Sequence, residues 1–198
     1  MAVQDFNILL YEQFELLDAC GPAEVIGELS EYYRIRFVSQ SGGLVMCKQR
    51  MAVDTLAFED IDSGGVLLIP GGYGTRPLAD DAGFISKLRE LAETAPYVLT
   101  VCSGSALLAR THLLDGRKAT SNKLSFTWVM AQGAQVHWQK SARWVKDGKY
   151  YTSSGVSAGI DMALGFVSDR FGEEKAMWIA KYMEYVWNQD QDNDPFAI

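Results

Sequence analysis

Cys102 stands where an apolar run meets a run of small residues, in the segment YVLTVCSGSALLA over 97–109. Strand-like residues lead straight into the cysteine, and Gly104, with Ser103 and Ser105 beside it, opens a helical pattern. A thiol at such a turn faces unpaired N–H groups and the positive end of a helix dipole, both of which favour an anion. Cysteines at helix starts can have their pKa drawn from ~8.5 down to roughly 3.5–7.5. The sequence therefore predicts a nucleophilic Cys102 with a lowered pKa. The layout parallels the GxSxG turn of hydrolases with Cys in place of Ser, although the leading Gly is missing. The competing reading is a small buried hydrophobe, the commonest fate of a free cysteine.

A nucleophile needs a proton partner, and Asp18 in EQFELLDACGP is the candidate. A carboxyl group near a thiolate has its pKa raised by the like charge and can then move protons. Asp before Gly-Pro also suits a helix N-cap, so two roles stay open. Glu12 and Glu15 share the same loop. A second glycine-rich loop, Gly71-Gly72-Tyr73-Gly74, follows the apolar run VLLIP. Its N–H groups, turned inward together with that of Ser103, would make an oxyanion-hole type site. It has no GxxxxGK[ST] continuation and does not read as a phosphate loop.

Other chemistries find little support. Cys20 and Cys47 read as packing residues, and three widely spaced cysteines form neither a disulfide framework nor a CxxC metal pair. His112 and His137 have no HExxH or HxH spacing, so no metal is expected. Neither pairs visibly with Cys102, which argues against a thiol protease. With 25 Asp and Glu against 18 Lys and Arg, the net charge of −7 lacks the basic stripe that nucleic acid requires. No apolar stretch approaches the roughly 20 residues needed to span a bilayer. The first residues carry no basic leader or small-residue cleavage site, and the plain expectation is the cytoplasm.

The elements that must position these groups alternate throughout the 198 residues. Strands are expected at 6–11, 34–39, 66–70 and 97–101, with a short one at 118–121. Helices are expected from Pro22 onward, over 84–93, over 105–114, weakly over 124–132, over 156–171 and over 173–187. Gly42-Gly43 is read as a turn into a hairpin, and Asp147-Gly148 as a second hairpin turn. The polar tail QDQDNDPFAI is expected to be held only by Phe196. No linker or repeat divides the chain, so one α/β domain over 1–198 is expected, with a mostly parallel sheet covered on both faces. Ligands of such sheets bind beyond the carboxyl ends of the strands, where the Asp18, Gly71 and Cys102 segments all lie.

ILLYEQFELLDACGPAEV, VLLIPGGYGTR, VCSGSALLARTHLLDGRKAT and YTSSGVSAGIDMALGFV occur in the order and at the separations of the ThiJ/PfpI family, and the chain resembles that family over nearly its whole length. The family belongs to the class I glutamine amidotransferase-like superfamily. The resemblance implies a flavodoxin-like three-layer sandwich, assembled as a homodimer. It is greatest to the isonitrile hydratase branch, whose LDxxGP motif is matched by Leu17, Asp18, Gly21 and Pro22. The family nucleophile falls on Cys102, and the adjoining hydroxyl residue on Ser103, where Thr is usual. Gly72 matches the loop residue whose N–H would face the bound group, with Gly71, Tyr73 and Gly104 around it.

The implied chemistry is cofactor-free addition of water to a small isonitrile, through a thioimidate on Cys102, to give an N-substituted formamide. One departure stands out: where such relatives carry His-Trp, this chain has Asn122-Lys123, which changes the pocket wall. Asp161 is expected to cap or hydrogen-bond rather than react. A ligand- or redox-sensing module, and glyoxalase- or amidase-like activity on an activated carbonyl, are the alternatives.

Overall fold

In the computed structural model, which describes residues 3–61 and 64–197, an eight-stranded sheet runs through the centre of the molecule. Its first half comprises β1 (Gln4–Leu9), β2 (Tyr33–Ser39), β3 (Ser41–Met46), β4 (Ala52–Ala57) and β5 (Val66–Ile69). β6 (Val98–Thr100), β9 (Trp144–Asp147) and β10 (Tyr150–Ser153) complete it, in the order β3-β4-β2-β1-β5-β6-β10-β9. All neighbours pair in parallel except the two edge hairpins β3-β4 and β9-β10. β7 (Lys118–Ala119) and β8 (His137–Trp138) form a separate two-stranded pair.

Every residue of β5, β6 and β10 is buried, as a parallel strand covered on both faces requires. Two groups of helices supply the cover. α1 (Leu16–Gly27), α6 (Ala158–Phe171) and α7 (Glu173–Tyr182) pack together. The other group is α2 (Thr75–Ala79), α3 (Ala82–Thr94), α4 (Gly104–Arg110) and α5 (Phe126–Gln132). The result is the expected three-layer α/β sandwich with a mostly parallel sheet. Each large aliphatic side chain wholly buried in it, such as Ile8, Leu68 or Leu99, contributes about 1.5–3 kcal/mol.

Four local expectations are corrected. The first helix starts at Leu16, six residues before Pro22, so Pro22 lies inside it. Proline inside a helix forfeits a bond to the carbonyl four residues back. Tertiary packing outweighs that cost, because Gly21 and Pro22 let α1 lie close to α6: a Cβ on Gly21 would stand 2.8 Å from Ile160 Cγ1. Gly42 and Gly43 belong to β3 rather than to a turn before it. His112 follows the end of α4 with φ 65° and is not part of it. The tail is secured by Asp194, not by Phe196: Asp194 is buried, whereas Phe196 is largely exposed.

The strand order reverses between β1 and β5, which run parallel side by side. Chain leaves this switch point in opposite directions and opens a crevice at the carboxyl ends. The segments after β1, β5 and β6 carry Asp18, Gly71 and Cys102.

Candidate active site

Cys102 lies two residues past the end of β6, with φ 57°. A side chain in this left-handed region costs roughly 1–2 kcal/mol, and surrounding contacts must impose it. They do. Cys102 N donates to Ser154 O at 3.0 Å, and Gly104 N to Val101 O at 2.9 Å. The Cys102 carbonyl accepts from Ser121 Oγ at 2.8 Å and Ser105 Oγ at 3.2 Å. Gly104 is needed because a Cβ there would stand 2.3 Å from Ile69 O. Its part is steric, allowing the turn to lie on the end of β5.

Asp18 is carried in the first turn of α1, not by a loop, and is not the N-cap, a position held by Glu15. The carboxyl is wholly buried. Gly71 N donates to Asp18 Oδ2 at 2.8 Å, while Oδ1 has no complete hydrogen bond among the described residues. Phe14 and Gly72 form an antiparallel bridge, and Glu15 N donates to Gly71 O at 2.9 Å, so the start of α1 is sewn to the loop after β5.

Burial raises the Asp18 carboxyl from 3.8 to about 7, against the Gly71 N–H and the Cys102 thiol, which favour the carboxylate. Cys102 is also raised, to about 12, first by burial and then by the Asp18 charge. The N–H groups of Ser103 and Val156 and the Ser103 hydroxyl pull the other way and do not prevail. This reverses the expectation of a lowered thiol pKa. Dipoles from a seven-residue helix do not offset the loss of water around a cysteine that is only 9 % exposed. Cys102 and Asp18 form a pair in which the carboxyl gives up its proton first and can then take the one on sulfur.

The anticipated oxyanion donors have other commitments. Gly71 N–H serves Asp18, and Gly72 N–H points to Ser103 Oγ at 3.2 Å. Gly72, at φ 124°, has no room for a side chain, since a Cβ would stand 2.4 Å from Gln13 O. Ser103 Oγ also meets Thr75 Oγ1 at 3.2 Å, and so braces the glycine loop against the cysteine turn. Tyr73 is exposed at the rim, with Lys48 Nζ 5.2 Å from its ring centre.

A cavity of about 270 Å³ opens over the cysteine, walled by Glu15, Lys48, Tyr73, Arg76, Asn122 and Val156 among others. Arg76 lies 4.2 Å over the Trp128 ring and donates to Ser125 Oγ at 2.9 Å, and Lys48 pairs with Glu15 at 3.2 Å. Sequence reasoning missed Lys48, Arg76 and Val156. Nothing local marks the first two. Val156 has φ 42°, an outlier for a β-branched residue, and its N–H favours the Cys102 thiolate.

Residues 6–169 match the family model described as the DJ-1/PfpI family. The chain belongs to the DJ-1/PfpI family. Among its relatives is an isonitrile hydratase of Pseudomonas putida, 32% identical over 94% of this chain and 80% of that protein. The HTH-type transcriptional regulator CdhR of Pseudomonas aeruginosa is 28% identical over 90% of this chain and 54% of its own length. In three dimensions, a ThiJ/PfpI family protein of Pseudomonas syringae superimposes with TM-score 0.82 at 28% identity, covering 99% of this chain and 78% of that one. Two sequence expectations thus hold for this DJ-1/PfpI chain: the family, and a hydratase among its similar relatives. Among the described residues no helix is long and apolar enough to cross a membrane, and no group of three or more His, Cys, Asp and Glu is placed to hold a metal ion.

Proposed function

We propose that this DJ-1/PfpI chain is a cysteine-dependent hydratase of small isonitriles that uses Cys102 as nucleophile and Asp18 as its proton carrier. The observation that carries the reading is the buried Asp18 carboxyl, raised to about 7 beside a thiol fixed on a strained turn. Similarity to an isonitrile hydratase over 94% of the chain supplies the substrate class.

Ionised Asp18 takes the proton from the Cys102 thiol and passes it to the terminal carbon of R–NC as sulfur bonds to that same carbon. The S–H bond breaks, C–S and C–H bonds form, and the product is the thioimidate R–N=CH–S–Cys. Water then attacks the carbon. One water proton goes through Asp18 to nitrogen, the other returns to sulfur as the C–S bond breaks, and R–NH–CHO leaves. An acid of pKa about 7 suits both directions of transfer at neutral pH. Ser103 holds the glycine loop, and its N–H with that of Val156 stabilises the sulfur as charge develops on it.

A small-ligand sensor is the second reading, supported by similarity to a transcriptional regulator. Redox sensing fits poorly, because oxidation requires thiolate and the Cys102 thiol is held protonated. The test is formamide formation from a panel of alkyl and aryl isonitriles by wild-type protein, Cys102→Ala and Asp18→Asn. Turnover lost in Cys102→Ala supports the hydratase; binding of panel members without turnover in the wild type supports the sensor.

A further inference from the structure

The cavity over Cys102 has a neighbour. A second chamber of about 390 Å³ shares Asn122, Leu124 and Val156 with it. Each has the scale of a small-molecule pocket. Their chemistry differs. The first presents the charged groups of Glu15, Lys48 and Arg76, whereas the second is bounded by Leu124, Val156, Phe196 and Ala197. Lys123 also borders it, but its ammonium group is buried, donating to Ala142 O at 2.7 Å and to Thr120 Oγ1 at 2.9 Å.

The outer wall is the C-terminal tail, and it is a built wall. Asp194 N donates to Ser141 O at 2.7 Å, and Arg143 N to Gln191 O at 2.7 Å. The Asp194 carboxylate lies 3.4 Å from Arg143 Nη1 and 3.7 Å from Lys123 Nζ, with all three side chains buried. Asp194 Oδ1 accepts from Phe196 N at 3.1 Å, which sets the aromatic ring at the chamber mouth. Phe196 is 69 % exposed and Leu124 99 % exposed, so two large apolar side chains meet water beside the reaction chamber.

We propose that this tail-walled chamber receives the apolar substituent of the substrate whose reacting carbon sits at Cys102, which makes Phe196 and Leu124 specificity-determining residues. The proposal rests on the hydratase reading for the reacting group, but the chamber itself is tested by binding alone. An alkyl or aryl group entering between Leu124, Val156 and Phe196 removes apolar surface from water on both partners. A methyl substituent is too short to gain this.

The experiment is calorimetric titration of the Cys102→Ala protein with N-cyclohexylformamide and N-methylformamide, repeated with Phe196→Ala and with Leu124→Ser added. The cyclohexyl probe is expected to bind at least about tenfold more tightly than the methyl probe, and each added substitution should erase most of that difference. Both positions are exposed, so the variants should melt with their parent. Equal affinities, no binding of the cyclohexyl probe, or a preference that survives both substitutions would overturn the proposal. If the preference is found while wild-type protein leaves every isonitrile unchanged, the chamber stands and the hydratase reading falls.

Discussion

Gly71 donates its backbone N–H to Asp18 Oδ2 at 2.8 Å, and a Cβ on Gly71 would lie 2.9 Å from that same oxygen and 2.6 Å from Ser103 N. One glycine thus spaces the carboxyl from the cysteine turn. Gly71→Ala must push the two segments apart, at a cost of about 1–3 kcal/mol in stability. Formamide production should fall by a larger factor than that loss explains, because the proton pair is displaced. Urea unfolding and kcat/KM on one preparation check this, and an unchanged kcat/KM would show that the spacing is unimportant.

Asp18 gives stability a definite pH dependence. Its native pKa of about 7 exceeds its unfolded value, so between about pH 4 and pH 7 the native state holds a proton that the unfolded chain has released. Stability from this group is therefore full at low pH and is lost as pH rises through that window, by on the order of 4 kcal/mol if no other group compensates. Asp18→Asn removes the effect. The variant should gain on wild type in unfolding free energy between pH 5 and pH 8; equal changes in the two proteins would contradict the raised pKa.

The same carboxyl should govern rate. Since ionised Asp18 is the base, kcat/KM should rise with pH through an apparent pKa near 7, and this limb should be missing from whatever residual activity Asp18→Asn retains. A pH-rate profile on one isonitrile measures it. A limb that falls across the same range would assign the proton-bearing form as the active one.

The raised thiol pKa bears on reagents as well as substrates. At pH 7.5, Cys102 should react with iodoacetamide more slowly than an ordinary free cysteine, because thiolate is scarce and the sulfur is nearly covered. Asp18→Asn removes the second cause of the shift, the carboxylate charge, and should speed the reaction. Mass spectrometry of the Cys102 peptide keeps Cys20 and Cys47 apart from it. Faster labelling than a free thiol would restore the lowered pKa expected from the turn alone.

Backbone strain at the turn can be weighed separately from its chemistry. Cys102 has φ 57°, which glycine adopts without penalty and alanine does not. Cys102→Gly should therefore be at least as stable as Cys102→Ala, by up to about 1 kcal/mol, although both lack the nucleophile. Thermal melts of the two variants decide it.

At the tail, Asp194→Ala leaves Lys123 and Arg143 buried with one carboxylate fewer, and such a loss costs about 3–5 kcal/mol. Phe196→Ala, in contrast, should leave stability nearly unchanged because the ring is exposed. Unfolding curves for both separate the latch from the chamber wall.

The sequence alone determined the family, the layered architecture and the position of the cysteine turn. Each is written in short-range pattern: apolar runs ending in Gly or Cys, small residues where backbones approach, and helical periodicity between them. It also singled out Asp18, Gly72 and Ser103, which the fold brings to one crevice from three strand ends. Tertiary structure alone decided the rest. Helix α1 runs through Pro22 because α6 packs against it, through the contact of Gly21 with Ile160, 139 residues away, that no local propensity encodes. The thiol pKa rises rather than falls because desolvation depends on everything surrounding the sulfur, whereas the dipole expectation used only its neighbours in the chain. Lys48, Arg76 and the Asp194 tail reach the site across long sequence separations, and proximity of that kind belongs to the folded chain.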